Sequence, residues 1–463
     1  MQFFDAITEE VVRTFSDSNK DPSWLKEHRL KSFNFYKELP FEKSELFKKY
    51  VDLDSVQNFD LFRLRKSEKI PPELKFLSNP SEFSVVQVNS EIIEIRIPKE
   101  LRDSGVILTD IKTALTEHGE MLKKYNNNRI IDPKEDKFVA MNNIFFNSGF
   151  FLQIPDNVNV DTPLEYKLFL DCEKAAVFSQ NMISLGENSS LAFTEELYSN
   201  PVADQTLFSN VTEIELKNDS KMTLGSIQNF GNNVVSFFSK KCLIEQNSRI
   251  NWASGFFGGL FTHSKLDNVM KGNGSEAHDL EVVFGSDKQK FDITSNLTHV
   301  GESTNGKVMV KGVFKDFSKS IFKGMIKIGK NAKNTNSYLS EHSILLSKDA
   351  SSDAIPGLEI ENNNVKATHS ASVAQINEDQ VFYLMARGLS EKDAKKLIIM
   401  GFYDPLIRQI SLNSLKIRIK GLTELKFNNE PLKNLNLITD RIEEEEKVSQ
   451  VSSDMFEGHY KYR

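Results

Sequence analysis

The chain's 463 residues exceed the roughly 100–200 of one domain, so two or three structural units are expected. With 39% hydrophobic residues, 35 Phe and 27% charged residues, it can bury a large core, which excludes a minimal module and bulk disorder. Its 58 basic and 65 acidic residues leave a formal charge of −7. No basic excess is present to neutralise a phosphate backbone, and no nucleic-acid partner is expected.

Two cysteines, Cys172 and Cys242, fit neither a disulfide framework nor a four-thiolate metal site and read as inert core or strand residues. A reducing, cytoplasmic setting is expected. The start, Met1 to Thr14, carries Asp5, Glu9 and Glu10 and lacks the basic and apolar regions of a signal peptide, so export is not expected. Apolar runs such as Leu397 to Met400 are far short of a membrane span.

Residues 1–70 read as an N-terminal helical segment. Val11, Val12 and Phe15 share one face, and Trp24, Leu25, His28 and Leu30 follow Pro22. Residues 71–142 read as a mixed α/β lead-in. After a loop at Pro71 and Pro72, Phe83 to Asn89 and Ile92 to Pro98 alternate apolar and polar residues as half-buried strands do. Thr109 to Lys124 then reads as a helix capped by Thr109, with Ile111, Leu115 and Leu122 on one face and Lys123 and Lys124 at its end.

Residues 143–372 change to short alternating runs broken by Asn, Gly, Asp and Ser, the pattern of an all-β region. A turn followed by an alternating strand recurs at Asn188-Ser-Ser-Leu-Ala-Phe, Asp219-Ser-Lys-Met-Thr-Leu, Asn247-Ser-Arg-Ile-Asn-Trp and, more weakly, at Asn331. These turns stand 31, 28 and 84 residues apart, the last being three times 28. A coil of two or three short strands cannot bury its apolar face alone and must stack on its neighbours. Asn, Asp or Gly at a corner supplies the left-handed backbone that a β-branched residue resists. A parallel β-helix is therefore the expected core, with a β-sandwich of irregular hairpins as the competing architecture.

Residues 373–446 return to helix. Glu378 to Arg387 ends at Gly388, and Ser390 caps a second helix with Ala394, Leu397, Ile398, Gly401 and Phe402 on its packing face. Leu415-Lys-Ile-Arg-Ile-Lys-Gly alternates like an edge strand, Leu435 to Glu446 is amphipathic, and 447–463 reads as a tail.

No GxxxxGK[ST] phosphate loop occurs, so any nucleotide chemistry enters through a partner. Gly255-Phe-Phe-Gly-Gly lacks the βαβ context of a dinucleotide site and reads as a tight solenoid corner. None of the eight histidines pairs at HxH or HxxxH spacing. His263, His278, His299, His342 and His369 all lie in the β region, where neighbouring coils can bring distant positions together, but a hydrogen-bonded or surface histidine is the simpler reading of each.

His369 sits in a longer pattern: Pro356-Gly-Leu-Glu-Ile-Glu, then Val365-Lys-Ala-Thr-His-Ser-Ala-Ser, then Asn377-Glu-Asp-Gln-Val-Phe-Tyr-Leu-Met-Ala-Arg-Gly-Leu. This series resembles the signature of the SufB/SufD family of iron–sulfur cluster assembly proteins. The likeness continues through Ala394 to Phe402, back to Phe322-Lys-Gly-Met-Ile-Lys-Ile and Ser343-Ile-Leu-Leu-Ser, and upstream to Pro22-Ser-Trp-Leu, Arg29-Leu and Asp136-Lys-Phe-Val-Ala-Met-Asn.

The resemblance implies a right-handed parallel β-helix flanked by helical segments, which pairs through its β-helix with a SufB-like subunit. It also implies C-terminal helices that bind SufC, the ABC-type ATPase, here about Asn377 to Phe402 with Gln380, Phe382, Tyr383, Arg387, Leu397 and Phe402 as contacts. SufB-like chains carry a sulfur-accepting cysteine just before the "SLL" strand and a glutamate after the signature histidine. Here Glu341 and His342 precede Ser343, and Ser370 follows His369. The chain is therefore most like SufD, a non-enzymatic assembly subunit. His369 carries over as the iron or cluster ligand for a transient cluster at the subunit interface, with His342 and Glu341 as weaker candidates. A homodimeric SufB-like scaffold and, from another class, a β-helix polysaccharide lyase stand as alternatives, and flavin binding in the complex is left open.

Overall fold

The computed structural model describes residues 2–445 except 43–44, 52, 54–55, 62–68, 78–79, 120–129 and 202. The expected helix residues Leu122, Lys123 and Lys124 and the tail 447–463 lie outside the described residues. No described helix is long and apolar enough to cross a membrane.

The core is a β-solenoid over 151–375, as the corner spacing implied. Its strands alternate between two sheets. One contains β1 (Ser84–Val88), β2 (Glu91–Arg96), β5 (Leu164–Leu170), β7 (Ser190–Ser199), β9 (Lys221–Asn229), β11 (Arg249–Phe256), β13 (Glu276–Gly285), β15 (Asn305–Phe314), β17 (Thr335–Leu345) and β19 (Val365–Gln375). The other contains β3 (Ile107–Asp110), β4 (Phe150–Ile154), β6 (Ala176–Leu185), β8 (Thr206–Leu216), β10 (Val234–Ile244), β12 (Phe261–Met270), β14 (Lys290–His299), β16 (Lys319–Ile328) and β18 (Ser351–Ile360). From β4 onward, neighbours within a sheet are parallel and belong to successive coils. The antiparallel pairs are β1 with β2 and β3 with β4, at the N-terminal end.

One edge of the rod shows why the period was readable. Asn157, Asn188, Asp219, Asn247, Gly274, Ser303 and Asn334 all have φ between 53° and 68°. Each peptide N–H there bonds to the next coil, as in Asn188 N to Asn218 O (2.9 Å), Asp219 N to Gln246 O (2.9 Å) and Asn334 N to Asn364 O (2.8 Å). Side-chain amides stack along the same line, Asn188 on Asn157 at 3.1 Å and Asn364 on Asn334 at 2.9 Å. The expected corner at Asn331 is instead at Asn334, because Ala332 tucks into the core and moves the turn three residues on. Gly255 to Gly259 does form a tight corner: a Cβ on Gly258 would stand 2.2 Å from Phe230 O, and Gly259 has φ +91°.

Helices cover both outer faces. On the nine-stranded sheet, helices Glu9–Ser18, Ser23–Glu38 and Lys137–Phe145 bury Val12, Phe15, Phe33, Phe138 and Phe145 against Phe178, Phe237 and Phe261. Arg29 holds this layer together. Its guanidinium pairs with Asp21 at 2.7 Å, donates to Ile144 O and Phe146 O at 2.7 and 2.9 Å, and lies against the Phe15 and Phe146 rings. The carbonyls are those that end Lys137–Phe145, where a cation meets the negative end of the helix dipole. In the lead-in, helix Ile111–Glu117 is capped by Asp110, whose side chain accepts from Lys112 N and Thr113 N. The expected cap, Thr109, belongs to β3 and pairs with Phe151.

The C-terminal helices pack on the ten-stranded sheet. The alternating stretch Leu415 to Gly421, expected as an edge strand, lies in the helix Asn413–Asn428. That helix is wedged between the sheet and the helix at 435–445, so two of its sides are apolar, and this mimics a two-residue period. Leu415 and Ile419 fit over Gly225 and Gly255, where a Cβ would lie 2.7 and 3.4 Å from them. The amphipathic reading from Leu435 is met by the burial of Leu435, Ile438 and Ile442.

The solenoid interior is not purely apolar. Register aligns Glu195, Ser226, Ser254, Glu281, Val310 and Glu341 in one inward row. Glu195 pairs with Lys240 of the opposite sheet at 2.5 Å and accepts from Ser226 at 2.7 Å. Asp279 bonds Ser295 across the interior. Burial pushes Asp279 up to about 6, and burial with the Asp279 charge beside it pushes Glu281 well above its ordinary value.

Two predictions follow from packing and charge. Gly258→Ala forces a Cβ into the Phe230 backbone and is expected to lower unfolding stability by about 3 kcal/mol, whereas Gly401→Ala, with nothing within 4 Å, is expected to add about 0.5–1 kcal/mol. Urea titration compares them. A carboxyl raised in the folded state keeps a proton the unfolded chain has lost, so the stability these carboxyls contribute is expected to fall as pH rises from about 4 towards 7, against the opposite slope of the buried neutral His299. Glu281→Gln is expected to flatten that slope and to be the more stable form at pH 7.5 by about 2 kcal/mol; an unchanged slope in pH-dependent melts would contradict this.

Candidate functional site

The last coil, β18 and β19, differs from the others in having no further coil stacked on it among the described residues. Its inward positions are consequently open. Ile326 pairs with Leu358 and Ile328 with Ile360, yet Ile326 and Ile328 are fully buried while Leu358 and Ile360 are 38% and 44% exposed. Val373, inward on β19, is 40% exposed, and Ile355, on the outer face of β18, is 43% exposed. The outer edges of both strands present peptide groups and apolar side chains together, the combination that invites another chain.

His369 lies on this coil. Register carries the inward row Phe193, Leu224, Trp252, Asp279, Val308, Leu339 directly to His369, so the imidazole stands at the open end of the rod's interior and is exposed. Glu341, one coil below and opposite Ala371, faces the same interior. Gly324 leaves room for its carboxylate, whose Oε1 would be 3.1 Å from a Cβ there, and Oε2 has no hydrogen-bond partner among the described residues. Burial raises Glu341 to about 7.

His342 cannot join them, because adjacent residues of a strand face opposite sides. It lies on the outer face, with Nδ1 2.7 Å from Ser372 Oγ, and burial and the Lys311 charge lower its pKa. The structure thus brings Glu341 and His369 to one interior end and separates His342 from both. Strand alternation could have parted Glu341 from His342 in the sequence. The exposure of Ile355, Leu358, Ile360 and Val373 carries no such signal, since the same alternation serves every coil.

The other β-region histidines do not converge. His299 is a neutral core residue bonded to Thr304 and Ser337 at 2.8 and 2.9 Å and lowered to about 4 by burial, and His263 pairs with Asp292 at 2.9 Å under the N-terminal helices. Among the described residues no three His, Cys, Asp or Glu side chains come together to hold a metal ion. Cys172 and Cys242 are buried, and burial pushes the Cys242 thiol well above its ordinary value, away from thiolate chemistry.

Two residues after β19 the chain enters helix Glu378–Met385, capped by Asn377, followed by helix Glu391–Ile407, capped by Ser390. Val381 and Ala394 pack with Ile376, while Phe382, Tyr383 and Leu397 are 72%, 55% and 53% exposed. Gln380 is exposed, and Arg387 lies over the Tyr383 ring at 4.7 Å. Met385 and Leu389 extend this apolar surface and were missed in the sequence. The second helix buries Ala394, Ile399, Tyr403, Leu406 and Ile407; of the expected packing face Ala394 is buried and Ile398 half-buried, whereas Leu397 and Gly401 are exposed. Phe402 turns towards the solenoid, where Lys311 sits 4.6 Å above its ring.

The family model for the SufBD core domain of SUF-system FeS cluster assembly matches residues 168–402, and the model for the SufBD protein N-terminal region matches residues 14–166. The chain is 28% identical over 423 residues to an iron–sulfur cluster assembly SufBD family protein of Staphylococcus saprophyticus, covering 88% of this chain and 90% of the relative. A Staphylococcus haemolyticus relative of the same description is 28% identical over 425 residues with the same coverage, and a Staphylococcus epidermidis one 27% over 423. The core-domain match alone spans more than half of the chain, in the solenoid and the helices that follow it: this chain belongs to the SufBD family of iron–sulfur cluster assembly proteins.

Proposed function

We propose that the chain is a SufD-like subunit of a SufBCD-type scaffold, lending His369 to a nascent iron–sulfur cluster at a seam shared with a SufB-like chain. One observation carries this reading: the signature histidine stands on the uncovered last coil, beside exposed inward-row residues that another solenoid would cover. The cluster is cargo. A neutral imidazole is a competent ligand for Fe(II), and one ligand on this chain suits a site completed by thiolate from the other. Glu341, facing the same interior, supports a role as a further oxygen ligand, while His342, on the outer face, takes no part in this reading. The SufD-like assignment rests on Glu341 and His342 ahead of Ser343, where the resemblance implies a cysteine in SufB-like chains, and on Ser370 after His369, where it implies a glutamate.

The exposed helix surface of Phe382, Tyr383, Arg387 and Leu397 supports docking of an ABC-type ATPase. Motion of that partner would reach β19 through the two-residue link at Ile376 and Asn377. Chemistry at the seam is then coordinative and mechanical, with ATP hydrolysed by the partner. Membership in an assembly family leaves the polysaccharide-lyase alternative without support.

Two experiments test this. His369→Ala is expected to leave subunit pairing intact and to lower iron retained after anaerobic reconstitution about tenfold; an unchanged yield refutes the ligand role. Phe382→Ser combined with Tyr383→Ser is expected to weaken capture of the ATPase about 100-fold without changing the circular dichroism spectrum, since both rings are exposed.

A further inference from the structure

The C-terminal helices are tied to one another. Glu424 bonds Lys396 at 2.9 Å and Arg441 at 2.6 Å, joining helix Asn413–Asn428 to helix Glu391–Ile407 before it and to the helix at 435–445 after it. Among the described residues their polar anchors on the rod concentrate on the middle coils, with Arg418 to Glu196 of β7 at 3.6 Å as an outlying contact. Lys426 sends its ammonium into three acceptors, Phe257 O, Phe284 O at 2.9 Å and Gln289 Oε1 at 2.7 Å, which lie where β11 and β13 end and turn. From the following coil, Lys315 donates to Lys426 O at 2.9 Å and to Asn429 Oδ1. Tyr403 adds a bond to Val283 O at 2.7 Å, and Lys307 one to Gln409 at 2.6 Å.

Three consecutive coils thus grip the C-terminal end of one helix, where two ammonium groups meet the negative end of its dipole. The last coil is held differently. It joins this helical body covalently at 376–377.

We propose that Lys426 and Lys315 form a fulcrum, a two-lysine clasp about which the C-terminal helices pivot as one body, so that a pull on the exposed helix pair is delivered to β19. The inference rests on the reading that an ATPase docks on that pair. Without the clasp the helices slide over the middle coils and the pull is dissipated there. With it, displacement is forced into the short link to the strand that carries His369.

The test is hydrogen exchange on the complex reconstituted with its ATPase, with and without ATP. In the wild type, ATP is expected to speed exchange in 365–375 about tenfold. Lys315→Met combined with Lys426→Met is expected to reduce that to less than about threefold, and to raise exchange across 413–428 before ATP is added. Asn429→Gly keeps the left-handed backbone at φ 58° and removes only one acceptor, so it remains informative if the double variant misfolds; an intermediate response is expected. A wild-type ATP response that persists undiminished in folded variants overturns the fulcrum alone. Absence of any wild-type response at 365–375 overturns the ATPase reading and the fulcrum with it.

Discussion

No coil of this solenoid can cover its own interior. Each inward row is sealed only by the coil above and below, through parallel ladders and aligned side chains, so stability is shared between neighbours and ends where the stack ends. At the N-terminal end the problem is solved internally, by the antiparallel strands β2 and β3 at the edges of the two sheets. At the other end it is left open, and the signature histidine of the family stands there. On the proposed function, the rod's incompleteness and its chemistry occupy one place.

The two helical layers treat the rod differently. The N-terminal layer is bonded through aromatic packing and the Arg29 knot, with a buried guanidinium whose donors meet a carboxylate and two helix-ending carbonyls. Removing one partner of such a group leaves a desolvated charge, so the layer is expected to behave as a fixed part of the core. The C-terminal layer pairs apolar contact on the middle coils with an exposed aromatic surface near the last one. Rigidity on one side and leverage on the other suit the proposed role of a subunit that holds a seam and lets it move.

Much of the fold was legible because corners need special backbone. Asn188, Asp219 and Asn247 adopt φ values that few residues accept, so their spacing shows through the sequence; Asn334 was misplaced by three residues because an inward Ala332 looks like any turn residue. Leu415 to Gly421 misled for the opposite reason, since a helix buried on two sides loses its 3.6-residue signature. At the site, His369 was named from an ordered series of motifs, and Glu341 and His342 only as weaker candidates that the sequence did not separate. That Glu341 faces inward and His342 outward follows from alternation, whereas the exposure of Leu358 and Ile360 depends on there being no further coil, which no local pattern encodes.

The uncovered coil also has a cost at high protein concentration. Two parallel strands with unpaired outer edges, bordered by Ile355, Leu358, Ile360 and Val373, are a template for indiscriminate cross-β association. On the proposed pairing, a chain made in excess of its mate would be drawn into aggregates, and matched synthesis of the two would then follow from the last turn of the rod.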